Sequence, residues 1–146
     1  MSLRRRASCV AVDHGVWGEE VAVQYLKVHG YEILGRNIRP CPSDRRLEID
    51  IIARDRLYDT IVFVEVKQHK SHDEYDVRLR GVDRRKKELL RRACRTWLLR
   101  NRPEAGCRFD VIEVFGEPYS RRKAEIDHII NVRLFVPDGK FVDWER

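Results

Sequence analysis

The sequence predicts an α/β domain with a mixed sheet flanked by helices, in the order helix, three strands, helix, two strands. Three observations carry this. Two central runs, Ile49-Asp50-Ile51-Ile52 and Ile61-Val62-Phe63-Val64-Glu65-Val66-Lys67, are dense in β-formers. Longer stretches on either side repeat apolar residues at helical spacing. The polar connection 54–60 suits a hairpin, whereas the long return to the fourth strand suits a crossover helix.

At 146 residues the chain is most simply one domain, large enough to bury its own core. Residues 1–13 read as a mobile basic arm opening on Arg4-Arg5-Arg6, 14–136 as the folded domain, and 137–146 as a C-terminal extension. The balance of 42% hydrophobic and 37% charged residues suits a soluble globular chain with a heavily charged surface. No apolar run is long enough for a membrane span, and no secretory pattern opens the chain. Cys9, Cys41, Cys94 and Cys107 are scattered without a C-x-x-C pair, so neither zinc nor a disulfide framework is indicated. A reducing cytoplasm fits. A net charge of +6 and a pI near 9.3 favour a polyanionic partner such as nucleic acid.

The first helix is expected over 15–29, with Gly30 as its stop. Trp17, Val21, Ala22, Tyr25, Leu26 and Val28 form its apolar stripe. Glu19 falls at the edge of that stripe and can lean over the sheet, whereas Glu20 lies on the polar side. Two readings of Glu19 stay open: an acid favoured by the helix dipole, or a member of a site. Residues 31–38 read as the first strand, stopped before Pro40 and Pro42. After Lys67 the pattern dissolves, and 68–81 reads as a mobile loop.

The second helix is expected over 82–100. Val82, Leu89, Leu90, Ala93 and Trp97 face inward, and Arg84, Glu88, Arg91 and Arg95 face outward. Lys86 falls in the middle of the apolar side, either snorkelling along the helix or reaching the sheet as a phosphate-directed cation. Pro103 and Gly106 break this helix, and strands follow over 108–115 and 125–136. Asp110 reads as an edge or ion-pair residue and is left out of any metal set. The extension is expected to dock through Phe141 and Trp144.

The central runs carry the chemistry. Alternation puts Phe63, Glu65 and Lys67 on one face and the three valines on the other. Glu65 and Lys67 are then roughly 6.5–7 Å apart along the strand. In the neighbouring run Ile49 and Ile51 are expected to share a face opposite Glu48, Asp50 and Ile52. Pairing the strands with their apolar faces together brings Asp50 to Glu65 and Lys67. An isolated Glu-x-Lys is ordinarily a solvated strand face with a cross-strand ion pair. Here Asp50 sits in an equally apolar strand, and two close carboxylates repel each other unless a cation lies between them. Mg²⁺ takes one or two carboxylates together with phosphate oxygens, and a lysine steadies the phosphate.

The chain also resembles the YraN family of small bacterial proteins. The resemblance rests on Gly15-Val16-Trp17-Gly18-Glu19-Glu20-Val21-Ala22 with Tyr25-Leu26, on Gly30-Tyr31, and on Arg36-Asn37-Ile38-Arg39. It continues through Glu48-Ile49-Asp50-Ile51-Ile52-Ala53, Val62-Phe63-Val64-Glu65-Val66-Lys67, Lys86 and Arg108-Phe109-Asp110-Val111. That family is classed with Holliday junction resolvase-like proteins of the PD-(D/E)XK nuclease superfamily. The resemblance implies a restriction-endonuclease-like core. In it Asp50 and Glu65 hold Mg²⁺ or Mn²⁺, Lys67 stabilises developing charge, and Glu19 completes the acidic cluster. Lys86, Arg39 and Lys70 are the expected nucleic-acid contacts. The chain departs from the family pattern at Leu47, where Gly is usual, and at His69, where Arg is common.

The expectation is metal-dependent hydrolysis of phosphodiester bonds in nucleic acid, with structured DNA as substrate. Cutting two strands of a junction would require a homodimer, and no interface is legible. Two alternatives stay open: an inactive nucleic-acid-binding module of the same fold, and a protein-interaction scaffold whose basic surface serves solubility.

Overall fold

One five-stranded mixed sheet, in the spatial order of the chain, carries a helix on each face. This is the α/β arrangement expected, and it is consistent with a restriction-endonuclease-like core. The computed structural model describes residues 13–71 and 84–135. The expectations for the arm before Asp13, for 72–81, for Val82 and for the extension with Phe141 and Trp144 lie outside the described residues.

The first helix, α1 (His14–Val28), begins at Asp13, which belongs to the helix as its N-cap and not to the arm. Its carboxylate accepts the N–H groups of Gly15 at 2.7 Å and Val16 at 3.2 Å. Gly30, at φ +85°, is the left-handed stop past the C-cap His29. The buried stripe is Gly18, Ala22, Val23 and Leu26. Val28, expected within it, is 81% exposed, because it lies about 200° around the helix from the buried Leu26. Gly18 permits close approach: a Cβ there would lie 3.0 Å from the Gln68 Cβ.

Three antiparallel strands follow: β1 (Tyr31–Ile38), β2 (Ile49–Asp55) and β3 (Thr60–His69). β3 includes Gln68 and His69, which the sequence assigned to the loop. They stay in the sheet because β4 pairs alongside them: Gln68 lies level with Val114, and His69 with Phe115. The crossover helix α2 (Arg84–Asn101) returns the chain so that β4 (Gly106–Phe115) runs parallel to β3. Gly106 therefore opens a strand and does not merely break a helix. β5 (Glu125–Ile129) closes the sheet antiparallel to β4 and is shorter than the expected 125–136. Beyond it the chain turns away, with Asn131 at φ +58° and the Val132 N–H on the Phe109 carbonyl at 2.7 Å.

α1 covers Ile51, Ala53, Val62, Val64, Ile112 and Val114, while α2 covers Ile52, Phe63 and Phe109 with Leu90, Ala93 and Cys94. Trp97 packs edge-on against Phe63, with centroids 5.6 Å apart. Arg91, expected on the outward face, instead donates to the Leu134 carbonyl and pins the segment after β5 onto α2.

At the end of the sheet where β4 starts, the α1 side is polar but fully paired. Asp110, 0% exposed, accepts from Arg108 at 3.1 Å and from the Asn131 N–H at 2.9 Å, and lies 2.8 Å from His128 Nε2. Arg108 also donates to Asp55 and Tyr31, and the Tyr25 hydroxyl meets His128 Nδ1 at 3.2 Å. Asp110 is thus an ion-pair residue on an interior strand, not at an edge.

Candidate active site

At the other end of the sheet, β2 falls out of step. Ile49 packs with Ile52 on the α2 side, while Ile51 packs with Ala53 on the α1 side. Ile49 and Ile51 therefore do not share a face, contrary to the even alternation expected. The slip lies at Asp50, and its cause is visible on both neighbours. On β1 the register places Asn37 opposite Asp50, with Asn37 in the left-handed region at φ +48°. On β3 the ladder ends at Ile51↔Val64, and the next free N–H, of Val66, donates to Asp50 Oδ2 at 2.9 Å. A side chain has taken the place of a strand carbonyl.

The slip does not carry Asp50 away from Glu65. Both residues lie one step past the last paired rung, Ile51 with Val64, and the Asp50 carboxyl feels the charge of Glu65. Burial, and then the Glu65 charge, push the Asp50 carboxyl up from 3.8 to about 7. Glu65 is itself buried, with its side chain 5% exposed, and it receives the Lys86 ammonium. Lys86, on the first turn of α2, reaches the carboxylate patch. Burial works to lower its ammonium, but the hydrogen bond to Glu65 and the charges of Asp50 and Glu48 outweigh that and raise it. Lys67 lies two residues along the same face of β3 and is half-buried, and burial lowers its ammonium against the pull of Glu113 and Glu65.

Glu19 stands further back. Burial raises its carboxyl, Asn37 and Arg36 work to lower it, and the charges of Glu48 and Glu65 add to the rise. Glu20, on the polar side as expected, pairs with Arg36 at 2.8 Å. Among the described residues no group of three or more His, Cys, Asp or Glu side chains gathers closely enough to hold a metal ion. The candidate is therefore a pair of carboxylates, Asp50 and Glu65. Such a pair suits Mg²⁺, which keeps waters and phosphate oxygens in its remaining positions. The donor chemistry fits: the raised Asp50 and the lysine drawn onto Glu65 show that this patch needs positive charge.

Asp50, Glu65 and Lys86 open into one cleft of about 390 Å³, lined also by Arg46, Glu48, Arg85, Leu89 and Leu90; Lys67 and Glu19 are not among its lining residues. Arg39 is beside this rim, 3.3 Å from Glu48. Lys70 is elsewhere, past the end of β3. Three contributors went unread in the sequence. Arg46 is held by a two-point contact with Asp44, at 3.0 and 2.8 Å. Arg85 had a signal in the run Arg84-Arg85-Lys86-Lys87, and Asn37 had one in its tolerance of a positive φ.

A model of the uncharacterised protein family UPF0102 matches residues 18–114, which contain all of these groups. The chain is 37% identical over 127 residues to a UPF0102 protein of Chlorobium phaeobacteroides (strain BS1), covering 85% of this chain and 96% of that one. It is 43% identical over 118 residues to one of Geobacter metallireducens, covering 80% and 88%. A relative from Acetivibrio thermocellus is 46% identical over 105 residues, covering 70% and 75%. On these matches the chain belongs to UPF0102, the YraN family, a PD-(D/E)XK nuclease-like group.

Proposed function

We propose that this protein is a metal-dependent nuclease acting on structured DNA in the cytoplasm. The observation that carries the reading is the meeting of Asp50, Glu65 and Lys86 in one open cleft, with Lys67 two residues further along β3. Asp50 and Glu65 are the residues to hold Mg²⁺ or Mn²⁺. When bound, the ion supplies Lewis-acid polarisation of a phosphodiester and lowers the pKa of a water.

The chain's own residues do the rest. The Val66 N–H fixes the Asp50 carboxylate, so the acidic pair is preorganised. Lys67 presents a desolvated ammonium two residues along the same face, suited to charge developing on a phosphate oxygen. Lys86, relieved of Glu65 once that carboxylate has another cation, can contact a neighbouring phosphate. Arg46, Arg85 and Arg39 at the rim suit the flanking backbone, and recognition rests on shape and phosphates.

The test is a panel of branched, duplex and single-stranded DNA and RNA with Mg²⁺ or Mn²⁺, run beside Glu65→Gln and Asp50→Asn. Cleavage lost in both variants with binding retained is the expected result. Cleavage that survives both, with metal removed, overturns the assignment. Salt-steep binding without cleavage of any substrate leaves the inactive binding module instead.

A further inference from the structure

A second cleft, of about 380 Å³, lies at the carboxyl ends of the parallel pair β3 and β4. Lys70, just past β3, meets Arg122 and Lys123 from the connection between β4 and β5, over a floor that includes Phe115. All three cations are exposed, and Arg121 is exposed beside them. Glu117 and Glu125 also line the cleft, so it is a mixed site with one net positive charge and not a bare cationic patch. Its position distinguishes it from scattered surface charge. It shares β3 with the acidic cleft, and the carboxyl ends of parallel strands are where open α/β sheets ordinarily take ligands. Lys70 lies five positions after Glu65, roughly 16 Å of extended strand. Duplex phosphates recur about every 3.4 Å of axis along each strand, so the span matches about five base pairs.

We infer that the Lys70, Arg122 and Lys123 cleft binds the phosphodiester backbone of the same nucleic acid, about five base pairs from the bond held at Asp50 and Glu65. This rests on the proposed function for its ligand, but it is a claim about binding alone. Two cations from the β4–β5 connection and one from the end of β3 would grip one backbone, fixing the duplex direction across the acidic cleft. Glu117 and Glu125 confine the phosphates to the cationic wall.

The experiment uses the full chain carrying Glu65→Gln, with fluorescence anisotropy of labelled duplexes and branched DNA between about 50 and 200 mM salt. Adding Lys70→Ala, Arg122→Ala and Lys123→Ala is expected to reduce the steepness of log affinity against log salt by about 2 to 3, at about 0.9 per phosphate contact. The reduction should be present on duplexes of about ten base pairs or more, which are long enough to reach both clefts. Replacing Lys70 and Lys123 by Arg should retain the parent slope. If the parent binds with salt-steep affinity and the triple variant shows the same slope at every length, the inference fails and the nuclease reading stands. If the parent chain does not bind nucleic acid, the proposed function itself falls.

Discussion

Lys86 of α2 sets its ammonium on the Glu65 carboxylate, whose charge also bears on Asp50. A lysine thereby stands where the acidic pair calls for a divalent cation. Lys86→Met should lower cleavage by about 10²-fold, the scale of removing one charge-stabilising donor. It should also lower Tm in chelator, and this deficit should shrink when Mn²⁺ is added. A Tm loss unchanged by metal would show Lys86 to be only a packing residue.

Asp50→Asn keeps an oxygen for the Val66 N–H but removes the charge facing Glu65. In chelator its Tm should rise by about 2–4 °C, equivalent to roughly 1 kcal/mol for a chain this size. Addition of Mn²⁺ at ten times its dissociation constant should stabilise the parent by about 1.4 kcal/mol and leave this variant unmoved. Differential scanning fluorimetry with and without metal measures both.

The Asp50 carboxyl, raised from 3.8 to about 7 in the fold, also sets a pH dependence. Between those values the folded chain holds a proton that the unfolded chain has released. Its contribution to stability is complete below about pH 4 and is lost as pH rises through about 7. Metal competes with that proton, so affinity for Mn²⁺ should rise about tenfold per pH unit up to about pH 7 and then level. Calorimetric titration across this range reads it directly, and a flat profile would contradict the raised Asp50 carboxyl.

Asp110 behaves in the opposite sense. Burial favours its neutral form, but hydrogen bonds from His128, Arg108 and the Asn131 N–H outweigh that and hold its carboxyl below 3.8. Its contribution is therefore present above pH 3.8 and is lost as pH falls through the lower folded value. Asp110→Ala leaves Arg108 buried without this partner and should cost about 3–5 kcal/mol by chemical denaturation. DNA affinity per folded molecule should not change, since the network lies on the α1 face of the sheet, opposite the acidic cleft.

Much of this architecture was legible in the sequence. β1 is bounded by Gly30 and the prolines after Ile38, and it forms where the punctuation places it. The element order also emerged, because each strand run and each helical stripe is strong on its own. What escaped depends on partners distant in the chain. Arg91 faces inward because the Leu134 carbonyl arrives from after β5, and no helical wheel carries that information. Gln68 and His69 look like loop residues alone and become strand beside β4. Within the site, Asp50 and Glu65 were paired by alternation, and they do meet. The route is different, since the even face count across Ile49 and Ile51 fails at Asp50 itself.

That missed beat has a consequence for anyone rebuilding the site. A strand in perfect rhythm points every side chain above or below its sheet and never sideways toward a neighbour's main chain. Here an acid reaches laterally to the Val66 amide only because the rhythm stumbles between Asn37 and Ile51. Grafting the acids and lysines onto a regular hairpin would copy the letters without the stumble, and the first carboxylate would swing out of reach.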